Sequence, residues 1–268
     1  MYSIHCATCA QEILMIEVVT VPAWTTLVQM RLPFCGRSVS RAPVDDTCTF
    51  STPSALSKRR QIAPKYWTFT GAYRMASTPR ERPRLSSSEL RLLIKPYNIN
   101  REEFPLVVVG IRGYYRDQMG APGVNDRGIY DDAVFIDTAQ GTVAFNGNTD
   151  PSTYRKGTGT GSKKGMASLK PGAWFVHRFD KHKGKYLALC QRAGPVTVIR
   201  DGAPDYIDVG KFGINIHRGR DDSTSSEGCQ TIHPDQWDSF INLAQDQAKR
   251  YFPETWESII IPYILLER

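Results

Sequence analysis

Several things are scarce in this sequence, and each shortage removes a class of protein. No apolar run reaches the ~20 residues that cross a bilayer. The most apolar early stretch, Ile13–Met30, carries Glu17 and Pro22. It does not read as a secretory leader either, because Glu12 and Glu17 interrupt it and no basic segment precedes it. The expectation is synthesis in the cytoplasm and no stable membrane insertion. Cysteines are few and unevenly placed: Cys6, Cys9, Cys35 and Cys48 lie early, and only Cys190 and Cys229 follow. Two cysteines in the larger part make no disulfide framework. Cys6-Ala7-Thr8-Cys9 has no second close pair and no strand–helix context, which argues against a zinc site or a thioredoxin-like motif. The net charge is +7, but residues 1–74 hold eight Lys/Arg against four Asp/Glu, which leaves only +3 for the rest. No basic helix, aromatic stacking motif or zinc finger accompanies that charge, so no nucleic-acid partner is expected. The glycine-rich Gly157–Gly161 lacks the Walker lysine pattern and a preceding buried strand; it reads as a flap beside a site rather than a phosphate loop. No internal repeat is present.

A chain of 268 residues has room for one large domain or two small ones, and its 41% hydrophobic content is enough for a sizeable core. Residues 1–84 stand apart. They are rich in Ser, Thr, Pro and Arg, and Ser51–Arg60 and Ser77–Arg84 read as linker-like. Met75 opens a stretch that reads as a protein start. The expectation is an upstream extension over 1–74, a disordered or misassigned N-terminal part to 84, and a catalytic domain over 85–268.

From Ser86 the pattern tightens. Ser86–Ser88 before Glu89-Leu90 predicts a helix start, with Leu90, Leu93 and Ile94 on one face and Pro96 ending it. Pro105–Ile111 is a buried-strand run, and Ala133–Asp137 and Thr142–Phe145 make a hairpin around Gln140-Gly141. Trp174–His177, Tyr186–Cys190 and Val196–Arg200 are further strands, and Ile259–Leu266 is a last one. Pro234 suits the first turn of a helix whose stripe is Trp237, Phe240, Ile241, Ala244 and Ala248. The fold class is mainly β, with one or two packed helices.

The chemistry concentrates in Phe212–Ile232. His217 ends an alternating stretch (Phe212, Ile214, Ile216), and Cys229 follows twelve residues later in Ser226-Glu227-Gly228-Cys229. A thiol needs a base to become a nucleophile at neutral pH, and donors for the oxyanion it creates. His217 is the expected base. Gly228 lets the backbone bend so that N–H groups near Gly228 and Cys229 face an oxyanion. Cys190, in an apolar run, reads as a small core residue. His177 and His182 flank a turn and read as exposed, and His233 reads as a helix-start residue. His217, Cys229 and His233 lack a fourth zinc ligand.

This window resembles the L,D-transpeptidase (YkuD-like) catalytic domain, whose signature is a strand histidine, a loop and Ser/Thr-His-Gly-Cys. His217, Ser226, Gly228 and Cys229 match it, and Lys170–Phe175 resembles that family's Thr-Pro-x-Gly-x-Phe strand. Glu227 stands where a second histidine is common, and the His-to-Cys spacing is shorter than is usual there. The resemblance implies a YkuD-like β-sandwich or partly open barrel. It also implies Cys229 as nucleophile, Ser226 as a steadying hydroxyl, no cofactor or metal, and a peptidoglycan stem peptide as acyl donor. Gly219, Glu227, Gln230 and Trp174 are the expected substrate contacts. Action in the periplasm or cell wall would then require lysis, a dedicated secretion machine or delivery with a phage particle. Two other readings stand beside transfer: an L,D-carboxypeptidase or endopeptidase on the same scaffold, and a non-catalytic wall-binding domain.

Overall fold

The computed structural model describes residues 18–20, 26–28 and 76–268. The chain divides into two units, Met1–Tyr66 and Trp67–Arg268. In the first, β1 (Val18–Thr20) and β2 (Thr26–Val28) pair antiparallel. Cys6, Cys9, Cys35, Cys48, Met75 and the expected extension, apart from these two strands, lie outside the described residues.

The second unit begins earlier than residue 85. Ala76 N–H donates to Asp221 O at 2.7 Å, Tyr130 N–H to Ser77 O at 2.8 Å, and Tyr115 Oη to Glu81 O at 3.0 Å. Residues 76–84 are therefore held against the β-rich unit, which corrects the linker reading of Ser77–Arg84. Backbone pairing, which composition does not reveal, fixes this polar segment. Next comes α1 (Ser87–Ile94), opened by a reciprocal Ser86–Glu89 capping box. It buries Leu90 and Ile94, while Leu93 is exposed. Arg91 of α1 and Arg101 after it both pair with the fully buried carboxylate of Asp137, at 3.2 and 3.0 Å.

Eight strands close a barrel in the order β11-β12-β5-β4-β3-β13-β7-β8. They are β3 (Val107–Arg112), β4 (Asp132–Thr138), β5 (Gly141–Asn148), β7 (Gly172–His182), β8 (Tyr186–Gln191), β11 (Ile216–Arg218), β12 (Gln230–Ile232) and β13 (Ile261–Glu267). The Ile216–Leu189 pair between β11 and β8 completes the ring, so the barrel is closed where a sandwich or partly open barrel was expected. β6 (Ala167–Leu169), β9 (Val196–Arg200) and β10 (Tyr206–Gly210) form a separate three-stranded sheet. β3 and β4 are buried along their whole length, β3 through its β-branched run and β4 although it carries Asp132 and Asp137.

α2 (Pro234–Tyr251) starts at the predicted proline and buries the predicted stripe in the same apolar cluster as Phe145, Ile216, Ile232 and Tyr263. The helix thereby holds β11 and β12, the strands that carry the candidate site. Among the described residues no helix is long and apolar enough to cross a membrane.

Candidate active site

β11 and β12 run parallel, with Ile216 opposite Gln230 and His217 opposite Thr231. Extending the register one step places Asn215 beside Cys229. Two bonds agree: Gln230 N–H donates to Asn215 O at 2.8 Å, and Asn215 N–H donates to Cys229 Sγ at 3.5 Å. Strand side chains alternate, so Asn215, His217 and Cys229 share one face while Ile216 and Gln230 take the other. His217 and Cys229 lie two ladder steps apart, roughly 7 Å along the strands. The ordered strand is shorter than predicted: Phe212 and Ile214 precede it in an irregular segment whose N–H groups, from Phe212 to Ile214, all reach Gln191 Oε1.

Cys229 is half-buried, and its thiol donates to Gly213 O at 3.2 Å. Burial pushes it up to about 11, opposed by the Asn215 N–H and the Lys183 charge. His217 is almost fully buried. Its Nδ1 lies 2.8 Å from Arg218 O, and a carbonyl only accepts, so Nδ1 carries the proton and Nε2 keeps the lone pair of a base. Burial pulls it down to about 4, a charge on the neighbouring His182, were one to form, acts the same way, and the Arg218 carbonyl opposes. At neutral pH both groups are uncharged. The gap of about 7 pH units between them corresponds to roughly 10 kcal/mol for making the ion pair. Attraction across ~7 Å at an effective dielectric near 20 returns only about 2–3 kcal/mol. The neutral pair wins, so the thiol keeps its proton and the imidazole rests uncharged.

The loop before Cys229 is held from within. Ser226 Oγ donates to Cys229 O at 2.7 Å and accepts Gly228 N–H at 3.0 Å, while the Ser226 backbone exchanges bonds with Ser152. Gly228 has φ +146°, and a Cβ there would sit 2.4 Å from Ala167 O, so only glycine fits. Of the two expected oxyanion donors, the Gly228 N–H is thus committed to Ser226. The Cys229 N–H has no acceptor among the described residues.

The expected substrate contacts fare differently. Glu227 is exposed, points its carboxylate at Arg155 (3.6 Å) and ties its carbonyl to Ala167 N–H. Gln230 is fully buried and clamps Gly228 O to Tyr263 Oη, so it serves the fold. Gly219 donates to Ile232 O, and a Cβ there would lie 2.0 Å from Tyr130 Oη; it is a packing glycine. Trp174 packs on the core with its indole N–H on Lys170 O, out of hydrogen-bond and ring contact with Cys229 and His217. Gln230 and Gly219 share one cause, burial against a tyrosine distant in sequence. The Gly157–Gly161 segment, read as a flap, is pinned by Gly157 N–H to Asp201 O and closed on itself by Thr158 N–H to Lys163 O, both 3.0 Å.

Sequence reasoning missed three residues. His182, read as exposed, is buried and stacks on His217 with centroids 4.1 Å apart and planes 21° apart. Asn215 links it to the thiol, and Tyr186 brings its hydroxyl to 3.5 Å from His217 Nδ1. The available signal was the parity of Asn215 with His217; nothing local marked His182. A cavity of about 710 Å³ lies elsewhere between α1 and the end of α2, and its Arg91 and Arg101 are already engaged by Asp137. Among the described residues no three His, Cys, Asp or Glu side chains are grouped to hold a metal. No protein-family model, curated protein or solved structure matches the chain.

Proposed function

We propose that this protein is a cysteine acyltransferase of the L,D-transpeptidase type acting on peptidoglycan stem peptides, with Cys229 as nucleophile and His217 as base. The observation that carries the reading is the Arg218 carbonyl on His217 Nδ1, which leaves Nε2 as the basic atom on the face that also bears Cys229. In this mechanism the Cys229 sulfur attacks the amide carbonyl as its proton passes to His217. The oxyanion takes the free Cys229 N–H, and the protonated His217 gives its proton to the departing amine. The thioester then yields to an amine, regenerating the thiol. Ser226 holds the loop that aims the sulfur.

The test is mass spectrometry of purified peptidoglycan fragments incubated with the full chain, with and without D-methionine, beside Cys229→Ala. D-Methionine adducts absent from the Cys229→Ala control are expected. Shortened stem peptides without adducts would make the protein a hydrolase, and equal turnover by Cys229→Ala would end the thiol mechanism.

A further inference from the structure

Every polar group of Asn215 is engaged. Its N–H faces Cys229 Sγ, its carbonyl accepts from Gln230, and its Oδ1 accepts the Gln191 N–H at 2.9 Å. A backbone N–H must face an oxygen, so Gln191 fixes which way the amide points. Nδ2 is left facing His182 Nδ1 at 3.0 Å, where it can only donate. His182 Nδ1 is therefore an unprotonated acceptor, and that ring carries its one proton on Nε2. To charge His182, a proton would have to be placed on Nδ1 opposite the Asn215 donor, two donors facing each other in a buried site. The amide cannot turn to relieve this without breaking its bond to Gln191. No carboxylate is among the charges acting on either ring: Lys183 and Arg192 act on His182, and Lys183 acts on His217, with His182 adding to it only if that ring were itself charged. Arg218 lies over Tyr186, and Glu227 is felt at Cys229.

We infer that Asn215 and His182 form a tautomer lock, a permanently neutral imidazole stacked on His217, so that the positive charge of the site develops only on the ring that takes the thiol proton. This rests on Cys229 and His217 being the nucleophile and base. Asn215 and His182 are positioning residues. Two cationic rings 4.1 Å apart would repel, so a charged His182 would block proton acceptance by His217. The lock removes that competitor while keeping the flat ring that fixes the rotation of His217.

The experiment is ¹⁵N-imidazole NMR of the full chain, combined with the pH–rate profile of Cys229 alkylation by iodoacetamide. The wild-type spectrum should show His182 Nδ1 unprotonated between about pH 5 and 8; a proton on that nitrogen overturns the lock. Asn215→Asp keeps the acceptor for Gln191 and turns an acceptor toward His182, inviting the second charge. His182 should then titrate within that range, the acid limb of alkylation should rise with it, and the rate at pH 7 should fall at least about tenfold. Adding His182→Gln, whose amide donates to the carboxylate without titrating, should return the limb to its wild-type position, which repair of packing alone would not do. An unmoved limb in Asn215→Asp refutes the lock. A limb unmoved by His217→Gln refutes the base assignment instead, and the lock with it.

Discussion

Ser226→Ala is the sharpest perturbation of the site that leaves its reacting groups in place. The serine hydroxyl serves two backbone groups, the Cys229 carbonyl at 2.7 Å and the Gly228 N–H at 3.0 Å, and it is itself buried. Alanine leaves both unpaired. A buried unsatisfied group costs about 1–3 kcal/mol, so the pair should cost about 2–6 kcal/mol. With a urea slope of about 2–3 kcal/mol per molar, the unfolding midpoint should fall by roughly 1–2 M. Cys229→Ala is the companion, because the weak sulfur contacts at 3.2 and 3.5 Å contribute far less. Its midpoint should move by under about 0.5 M. Tryptophan fluorescence across a urea series reads both. A Ser226→Ala midpoint within about 0.3 M of wild type would refute the claim that this hydroxyl holds the loop before Cys229.

Three other outcomes are expected. His217, held near 4 by burial, gives stability that is full above its ordinary 6.5 and is lost as pH falls through 4, about 3 kcal/mol in all. Asp131 and Asp132, raised by burial, change in the opposite direction, so the quantity to follow is the stability difference between wild type and His217→Gln; it should shrink by that amount between pH 7.5 and 4, and a constant difference contradicts the burial argument. Gly219→Ala should lower the thermal midpoint sharply and Tyr130→Phe should restore part of it by removing the oxygen in the way; equal midpoints for the single and double variants would show that the ring is not the obstacle. Asp137→Ala leaves the partly exposed Arg91 and Arg101 guanidiniums without their carboxylate and should cost about 1–3 kcal/mol by chemical denaturation, against a refuting loss below about 0.5 kcal/mol.

The parts legible in the sequence are those set by local chemistry. A β-branched run marked β3, the hairpin around Gln140-Gly141 marked β4 and β5, the Ser86–Glu89 box marked α1, and the Pro234 start and apolar stripe marked α2. β6 and β12 have three residues each, too few for a periodic signal, and β10 exposes Ile207 and Val209 instead of burying them. β7 runs to His182 because it pairs with β8 as far as Tyr186, although Arg178, Asp180 and Lys181 break its apolar pattern. In the site, the thiol, its neighbouring glycine and the upstream histidine were visible because they are close in sequence. His182 was not: it reaches Asn215 across 33 residues, and a histidine at a turn reads as exposed until the turn is folded back. Gln230 and Gly219 looked like substrate contacts because they flank the motif, whereas Tyr263 and Tyr130 claim them for packing.

The closure of the barrel through β13 has a consequence for how the protein is made. β13 pairs parallel with β3, joining Arg112 to Glu267 across 155 residues of chain. Until β13 has been synthesised, β3 and β7 each present a bare edge to solvent, and no local pairing can substitute. Slow, long-range closure of this kind leaves a nascent chain open to aggregation. Expression yield should therefore respond more to synthesis temperature and chaperone supply than to changes on the finished surface.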